Sequence, residues 1–540
     1  MAGEVFLVNF DALKYRYPSR RMVVLGNNGM VATSQALAAQ AGLDILKKGG
    51  NAIDAAIATA ACLTVVEPTS NGVGGDAFAI VWEKDKIYGL NSSGFAPQGL
   101  SIDKLKDKGH RKMPIYGFEP ITVPGIPYAW RELSKRFGKL ELKDVFKPAI
   151  NYAIEGFPVS PVVSKNWGKG FEKYLSELKG EEFDSFFKTF TRDGQTPKPG
   201  EIWKNEDLGN TLLELAETDC LSFYEGDIGE KIDKFSKKFD GYIRKKDLLE
   251  YKAEWVEPIS INYRGYDVWE LPPNTHGLVV LMALNILNNF QLSYEDSLSY
   301  HVIVEAMKLA YVDGLKYITD ANKMEIPIEK FLSKEYGSER AKLITKDAIH
   351  PHYGNPDLGG TVYLAAADGE GNMISYIQSN YMGFGSGLVV PGTGISLHNR
   401  GCTFSLNPND ANCLEPGKKT YHTIIPGFLG KDKEAIGPFG VMGAYMQPQG
   451  HVQVVTNLID FNHNPQEALD RPRWQWIEDK KVLVEPDFPL NIKEELIKFG
   501  HEVEYSDDVG SFGRGQIILK NGRTLMGGTE PRADGIVAPW

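Results

Sequence analysis

The sequence predicts an α+β fold, because helical and strand patterns prevail in different parts of the chain. Helical patterns dominate the first two thirds and include two consecutive alanine-rich segments within residues 33–67. Strand patterns dominate after Thr361. This order is compatible with segregated helices and strands or with a layered α/β/β/α arrangement.

Three helical regions precede Thr361. Residues 33–67 predict one helix that ends at Gly49 and Gly50, and a second that starts near Asn51. The second is apolar on nearly every side, so we expect it to be buried. Residues 104–255 alternate charge clusters with aromatic residues and indicate an exposed helical layer. Residues 299–313 repeat apolar positions at helical spacing and predict a further helix.

Five apolar stretches after Thr361 predict strands. In chain order they are TVYLAAAD, NMISYIQS, TIIPGFLG, VQVVTNLI and QIILKNG. A chain of 540 residues is too long for one small core, so we expect one large layered unit or two domains.

Charge and composition favour a small-molecule partner. The formal net charge of −11 argues against a nucleic-acid or anionic-membrane partner, because such surfaces attract an excess of Lys and Arg. The four cysteines are too scattered for a disulfide framework. The N-terminal stretch lacks the features of a secretory leader, and no apolar run reaches the roughly 18 residues of a membrane span. These features predict a cytoplasmic protein with no membrane partner.

Two patterns resemble ligand sites but favour structural roles. The stretch NGVGGDAFAI lacks the Lys and Ser/Thr ending of a phosphate-binding loop, so it predicts a tight turn that leads into a strand. His301 and Glu305 lie four residues apart on one helix face and could hold a metal ion. No second histidine completes the motif, so we expect this face to pack on the core. The sequence predicts no metal ion and no cofactor.

Thr361 follows Gly359 and Gly360 at the start of an apolar stretch. A threonine hydroxyl needs a base to become nucleophilic, and the residue's own α-amine, with a pKa near 8, can serve if the Gly360–Thr361 bond is cut. The Thr361 hydroxyl can attack the preceding carbonyl to make that cut, and glycine eases the required backbone distortion. The spacing alone is equally compatible with a threonine that opens a β-hairpin.

Several blocks in order resemble the γ-glutamyltransferase family of N-terminal nucleophile hydrolases, specifically its cytoplasmic acylase-like branch. The resemblance rests on GGNAIDAAIATAACLTVVEP, NGVGGDAF, EAMKLAYVD, GTVYLAAADGEGN, GFGSGLVVPGTGISLHNRG, YHTIIPGF, GPFGVMGAYMQPQGHVQV and PRWQW. It implies a four-layer α/β/β/α sandwich. It also implies a precursor cut into a helix-rich large-subunit segment (1–360) and a strand-rich small-subunit segment (361–540) that form one interleaved unit.

The resemblance assigns the catalytic positions. It places the cleavage site between Gly360 and Thr361 and makes Thr361 the nucleophile. The residue that contacts the nucleophile's amine is Ser379. The two successive amides of the oxyanion hole belong to Gly443 and Ala444; relatives usually have glycine at the second position, but the donor is main chain.

The resemblance also assigns substrate contacts, several of which differ from those of glutathione-cleaving members. The positions are Ser93, Tyr381, Arg400, Thr403, His422 and Thr423. Ser93 stands where an arginine binds the glutamyl carboxylate. Arg400 and Thr403 replace the glutamine and aspartate that receive the substrate's ammonium group, and Tyr381 replaces an asparagine. His422 and Thr423 replace two adjacent serines that bind the substrate carboxylate.

The resemblance implies an autoprocessing amidohydrolase or acyltransferase that cleaves a γ-glutamyl or glutaryl-type amide through an acyl-threonine intermediate. The partner is then a small-molecule amide, and the two segments stay associated after cleavage; a homo-oligomer is left open. The alternative is a family member that is not processed and binds a small anionic metabolite without turnover.

Overall fold

The computed structural model describes residues 21–351 and 360–540. Gly359 lies outside these residues. So do residues 1–20, which make up nearly all of the N-terminal stretch considered above as a leader. None of the helices in the described residues is both long enough and apolar enough to cross a membrane.

The strands begin and end as follows. They are β1 (Val24–Gly26), β2 (Gly29–Thr33), β3 (Asp76–Glu83), β4 (Lys86–Ser92), β5 (Phe157–Pro158), β6 (Ile202–Trp203), β7 (Glu254–Val256), β8 (Ile259–Tyr263), β9 (Tyr266–Glu270), β10 (Gly360–Asp368), β11 (Met373–Tyr381), β12 (Val389–Val390), β13 (Ile395–Ser396), β14 (Gly427–Lys431), β15 (Glu434–Met442), β16 (Trp474–Glu478), β17 (Lys481–Val484), β18 (Glu502–Tyr505), β19 (Arg514–Asn521), β20 (Thr524–Thr529) and β21 (Ile536–Pro539).

The α-helices are distributed along the whole chain. They are α1 (Ala36–Lys47), α2 (Ala52–Val66), α3 (Ile102–Asp107), α4 (Ile126–Phe137), α5 (Leu142–Val145), α6 (Lys147–Glu155), α7 (Pro161–Glu177), α8 (Asp184–Phe190), α9 (Glu206–Glu217), α10 (Asp227–Lys238), α11 (Lys245–Glu250), α12 (Gly277–Leu287), α13 (Ser297–Tyr317), α14 (Ile328–Leu332), α15 (Lys334–Ala341), α16 (Met446–Ile459), α17 (Pro465–Asp470) and α18 (Leu490–Lys498).

Two seven-stranded sheets form the two central layers. One has the order β21-β2-β10-β11-β3-β4-β7 and carries Thr361 on a central strand; the other has the order β1-β20-β19-β15-β14-β9-β8. Their facing sides share a core that includes Phe78, Tyr363, Phe428 and Ile518. Both sheets combine strands from before and after Thr361.

Helices cover the outer face of each sheet. Side chains of α1 and α2 share a core with Leu364 of β10, and those of α12, α13 and α16 share one with Val441 of β15. The four layers therefore run α/β/β/α, and the predicted fold class is confirmed. The sandwich buries apolar side chains on both faces of each sheet, as a layered core requires.

The two predicted helices of residues 33–67 are confirmed. Helix α2 begins after Asn51, whose side chain accepts from the amides of Ile53 and Asp54, while Asp54 caps the Asn51 amide in return. Every residue of α2 is buried, as its apolar surface predicts. The helix predicted over residues 299–313 is also confirmed and is α13.

One of the five predicted strands is wrong. The stretch VQVVTNLI lies within α16, although its β-branched residues favour a strand. Val452, Val454 and Val455 are all fully buried in the helical layer beside β15, so tertiary packing overrides local preference. In TIIPGFLG only the end is extended, as β14. The statement that helices come early and strands late is also too simple, since β2, β3 and β4 precede the helical layer.

Candidate active site

Thr361 is the second residue of β10 and lies beside Ser379 of β11. The pairing between the strands shifts here, because Gly360 pairs with Tyr381 and Val362 pairs with Gln378. The Thr361 Oγ1 lies 2.9 Å from the Ser379 Oγ, and either hydroxyl can donate. The Ser379 Oγ also accepts from the Tyr381 amide at 2.8 Å. The hydroxyl of Thr361 is thus fixed by a neighbour at an irregularity of the sheet.

The turn after β15 lies at the Thr361 end of β10. Tyr381, which pairs with Gly360 at this end of β10, and Tyr445, which follows the turn, line the same pocket.

Gly443 and Ala444 form this turn with positive φ angles of 139° and 49°. Their amides donate to no backbone carbonyl of the described residues, and Met446 begins α16 two residues later. Two successive amides near a helix N-terminus are suited to hold a developing negative charge. The oxyanion-hole role that the resemblance assigns to these amides stays a prediction.

Arg400 is buried next to this centre. It is 1% exposed, and its guanidinium lies over the Tyr381 ring at 4.0 Å. Nη1 donates to the Thr423 Oγ1 at 2.6 Å, whereas Nε and Nη2 have no hydrogen-bond partner in the described part of the chain. Burial lowers the pKa of Arg400, but a guanidinium remains charged in proteins. Two of its donor groups are therefore buried without an acceptor among the described residues.

Asp76, which the sequence interpretation did not single out, opens β3 opposite Ser379. Its Oδ2 lies 3.0 Å from the His422 Nε2, and burial raises the pKa of Asp76 to about 7 against the opposing charge of Arg400. Burial is the main cause, and the positive charge of Arg400 the second, that holds the pKa of His422 well below its usual range. His422 is therefore neutral, and its Nδ1 has no partner among the described residues.

The glycine-rich stretch before Asp76 is a turn that leads into a strand, as predicted. A Cβ on Gly75 would lie 2.4 Å from the Ser379 carbonyl, so glycine lets this turn approach β11. The only sequence signal for Asp76 was a carboxylate at the start of an apolar strand. Its partner His422 is distant in sequence, which is why spacing did not pair them.

Ser93 and Thr403 are held by contacts within the protein. The Ser93 Oγ donates to the Asn91 Oδ1 at 2.7 Å, and Ser93 is 1% exposed. The Thr403 Oγ1 lies 2.8 Å from both the Arg400 carbonyl and the Thr420 hydroxyl. Both hydroxyls already have hydrogen-bond partners within the protein, unlike the Nε and Nη2 of Arg400. We therefore expect Ser93 and Thr403 to contribute less than Arg400 to substrate binding.

A pocket of about 410 Å³ adjoins this centre. Its inner wall includes Tyr381, Thr403 and Tyr445, and its outer wall includes Arg111 and Lys112. Tyr381 stacks with Arg400, and Tyr445 follows the Gly443–Ala444 turn, so the inner wall adjoins both parts of the site. The remaining lining residues are Met113, Ile115, Met382, Cys402, Phe404, Ser405, Leu406 and Asn407.

His301 and Glu305, considered above as metal ligands, meet His501 from the distant C-terminal region. The His301 Nδ1 lies 2.8 Å from the His501 Nε2, and the His301 Nε2 lies 2.8 Å from the Thr345 carbonyl. Lys308 donates to the Glu305 Oε1 at 2.7 Å and is itself fully buried. The internal pairing and this ammonium group favour a structural network over a cation site.

Comparison with known proteins gives consistent matches over nearly the whole chain. The Gamma-glutamyltranspeptidase family model matches residues 38–540. The crystal structure of cephalosporin acylase from Bacillus halodurans is similar with a TM-score of 0.96 and 55% identity, over 99% of each chain.

Curated relatives are similar over comparable lengths. The glutathione hydrolase-like YwrD proenzyme of Bacillus subtilis is 37% identical, over 95% of this chain and 98% of the relative. The oxamate amidohydrolase proenzyme of Klebsiella pneumoniae is 31% identical, over 96% and 99% respectively. The resemblance found in the sequence is confirmed: the chain belongs to the gamma-glutamyltranspeptidase family of N-terminal nucleophile hydrolases.

Proposed function

We propose that this enzyme is an autoprocessing amidohydrolase or acyltransferase that prefers an acyl group of the glutaryl type to a γ-glutamyl group. The observation that carries this choice is the buried guanidinium of Arg400, whose Nε and Nη2 lack partners among the described residues. Buried donor groups of a charged side chain that lack an acceptor are unfavourable. A carboxylate on the acyl group would supply charge-assisted hydrogen bonds at this position.

The first reaction is the cut between Gly360 and Thr361. The Thr361 hydroxyl attacks the Gly360 carbonyl carbon; the C–N bond breaks as an ester forms, and the threonine amine is released. Water then hydrolyses the ester, which leaves a free carboxyl group on Gly360 and a free hydroxyl group on Thr361. We expect the segments to remain associated, because β10 lies between β2 and β11 in one sheet.

Turnover then uses the new N-terminus. The Thr361 amine takes the hydroxyl proton while the oxygen attacks the substrate's amide carbonyl, and the Gly443 and Ala444 amides stabilise the resulting oxyanion. The amine half of the substrate leaves with the proton. Water or a second amine displaces the acyl group from Thr361, giving hydrolysis or transfer.

The positive charge of Arg400 disfavours an ammonium group of the substrate beside it. Two like charges about 4 Å apart repel by roughly 4 kcal/mol at an effective dielectric of about 20. Glutaryl lacks the α-ammonium of γ-glutamyl and keeps a terminal carboxylate. The relative named oxamate amidohydrolase supports this class, since oxamate is an amide with a carboxylate and no ammonium.

We expect the wild-type enzyme to hydrolyse glutaryl 4-nitroanilide with a higher kcat/KM than γ-glutamyl 4-nitroanilide. The two substrates share the leaving group, so their ratio reports recognition of the acyl group alone. Release of 4-nitroaniline is followed by absorbance. A higher kcat/KM for the γ-glutamyl compound would refute the proposed preference and favour a glutathione-type activity.

Replacing Ser379 with alanine should lower kcat of the processed enzyme. The substitution removes the hydroxyl 2.9 Å from the Thr361 Oγ1, and a neutral hydrogen bond of about 0.5–1.5 kcal/mol corresponds to a loss of about 2- to 13-fold. Ser375→Ala is the matched control, because the Ser375 hydroxyl of the same strand bonds to the Tyr363 hydroxyl instead. Equal kcat values in wild type and Ser379→Ala would show that Ser379 has no such role.

A further inference from the structure

The turn after β15 contains a residue in an unfavourable backbone conformation. Ala444 has a φ angle of 49°, which lies in the left-handed region. A residue with a Cβ is disfavoured there, and such a conformation persists only where the surrounding structure holds it. Ala444 is 1% exposed, so the contacts that hold it come from within the protein.

The residue after Ala444 is held by a tyrosine from the outer helical layer. The Tyr311 hydroxyl, on α13, donates to the Tyr445 carbonyl, and Tyr311 is 2% exposed. Burial raises the pKa of Tyr311 well above its usual value, so the hydroxyl keeps its proton and remains a donor. Because Tyr445 directly precedes α16, this hydrogen bond fixes the point at which the helix leaves the turn.

A second side chain approaches the same carbonyl and is itself fixed by β16. The Gln449 Nε2 lies 3.4 Å from the Tyr445 carbonyl and donates to the Trp476 carbonyl at 3.0 Å. The Gln449 Oε1 accepts from the Trp476 amide at 2.7 Å, and the rings of Tyr311 and Trp476 lie 5.8 Å apart. Tyr311, Gln449 and Trp476 thus form one buried support behind the turn.

Hydrogen bonds within the turn transmit this support to Gly443 and Ala444. The Met446 amide donates to the Gly443 carbonyl at 2.9 Å, and the Gln447 amide donates to the Ala444 carbonyl at 3.0 Å. These bonds link the first residues of α16 to the two residues whose amides are expected to bind the oxyanion. A shift of Tyr445 would therefore loosen both bonds and let Ala444 relax to a negative φ.

We propose that Tyr311 is a positioning residue for catalysis, because its hydroxyl holds Tyr445 so that Ala444 keeps its left-handed conformation and directs its amide at the oxyanion. This inference rests on the proposed function, since it assumes that the Gly443 and Ala444 amides stabilise the oxyanion. Tyr311 acts through Tyr445 and not on the substrate. A displacement of about 1 Å can cost about 10²-fold in rate, so a residue that only holds the turn affects turnover.

The first test replaces Tyr311 with phenylalanine, which removes only the hydroxyl. We expect kcat/KM for glutaryl 4-nitroanilide to fall about 5- to 50-fold, less than the roughly 10²–10³-fold that loss of an oxyanion donor causes. Tyr300→Phe is the matched control, because it removes a buried hydroxyl of the same helix that accepts from Arg471 instead. The control should keep its kcat/KM. An unchanged kcat/KM in Tyr311→Phe would overturn the inference.

Two inhibitors separate positioning from a general loss of structure. 4-Boronobutanoate is the boronic acid analogue of the glutaryl group: the Thr361 oxygen adds to boron, its proton passes to the α-amine, and the tetrahedral anion places a hydroxyl at the oxyanion position. Glutarate binds without forming this adduct. In Tyr311→Phe the Ki of the boronate should rise by about the factor by which kcat/KM falls, while the Ki of glutarate stays the same. Equal weakening of both inhibitors would overturn the inference.

A glycine at position 444 should rescue the loss of the hydroxyl. Glycine adopts a positive φ without steric cost, so Ala444→Gly/Tyr311→Phe should regain most of the kcat/KM that Tyr311→Phe loses. A double variant that is no more active than Tyr311→Phe would overturn the inference that Tyr311 holds the conformation of Ala444.

Failure of the proposed function gives a different result, namely a wild type that cleaves neither the glutaryl nor the γ-glutamyl anilide. Hydrogen exchange followed by mass spectrometry then tests the support without turnover, in cut and uncut protein alike. The amides of Met446 and Gln447 should exchange faster in Tyr311→Phe than in the wild type and in Tyr300→Phe, because their hydrogen bonds open more often. Equal exchange in the three proteins would overturn the inference.

Discussion

Replacement of Thr361 by alanine is expected to leave the chain uncut and to abolish amide hydrolysis. The variant lacks the hydroxyl that attacks the Gly360 carbonyl, and without the cut no α-amine exists at this position to act as base. We expect the loss of kcat/KM to exceed about 10³-fold, since nucleophile and base disappear together. Intact-mass spectrometry measures the cut, and nitroanilide hydrolysis measures turnover.

Two comparisons make this test specific. Thr361→Ser keeps a hydroxyl and an N-terminal amine, so it should still be cut, with altered rate. The wild type should yield fragments that end at Gly360 and begin at Thr361. A wild-type protein that remains full length after long incubation would contradict the proposal and favour the alternative of an unprocessed, ligand-binding family member. A Thr361→Ala protein that is cut at the same bond would exclude Thr361 as the attacking group.

Local sequence was sufficient to predict a helix where the residues of that helix alone determine where it begins and ends. Helices α1 and α2 followed from an apolar run interrupted by Gly49 and Gly50, because glycine is favoured just after the end of a helix. Local sequence failed for α16, whose valines are compatible with a buried strand or a buried helix. Only its packing against β15 decides between them.

The residues of the candidate site also differ in whether the sequence could place them. The resemblance assigns Ser379 a contact with the amine of Thr361, and in the structure the hydroxyl groups of the two residues lie 2.9 Å apart, since both residues are on adjacent strands of one hairpin. It gave no information on the carboxylate of Asp76, whose partner His422 comes from a distant loop. Likewise, the network of His301 with His501 joins residues that no sequence motif connects. Long-range pairs of this kind depend on the fold as a whole.

The direction of the Arg400 side chain could not be read from the sequence, and it matters most for specificity. The alternative to a substrate contact is an Arg400 side chain that points away from the pocket into a structural salt bridge. In the structure Arg400 is buried, stacked on Tyr381 and bonded to Thr423, and it forms no ion pair with a carboxylate of the described residues. This arrangement is what a pocket for an acyl carboxylate requires, although the contact itself is a proposal.

Replacement of Arg400 by glutamine should therefore lower kcat/KM for glutaryl 4-nitroanilide by about 10- to 100-fold, the value of hydrogen bonds to a charged group. The γ-glutamyl compound should lose less, because Arg400→Gln also removes the repulsion of its ammonium group. The ratio of the two kcat/KM values thus approaches one or inverts. Arg400→Lys keeps the charge without the planar donor pair, so it should recover only part of the glutaryl activity.

The Asp76→Asn variant distinguishes the proposed preference for glutaryl from recognition of a γ-glutamyl group. The carboxylate of Asp76, next to His422, could receive the ammonium of a γ-glutamyl group, and Arg400 would then bind the accompanying carboxylate. In that case Asp76→Asn would reduce γ-glutamyl hydrolysis more than glutaryl hydrolysis. Our proposal places no ammonium group beside Asp76, so γ-glutamyl hydrolysis should not fall in Asp76→Asn, whereas the loss of a negative charge near Arg400 strengthens the binding of glutaryl and lowers KM for the glutaryl anilide. An unchanged glutaryl to γ-glutamyl ratio in Arg400→Gln would contradict the role of Arg400 whichever way Asp76→Asn behaves.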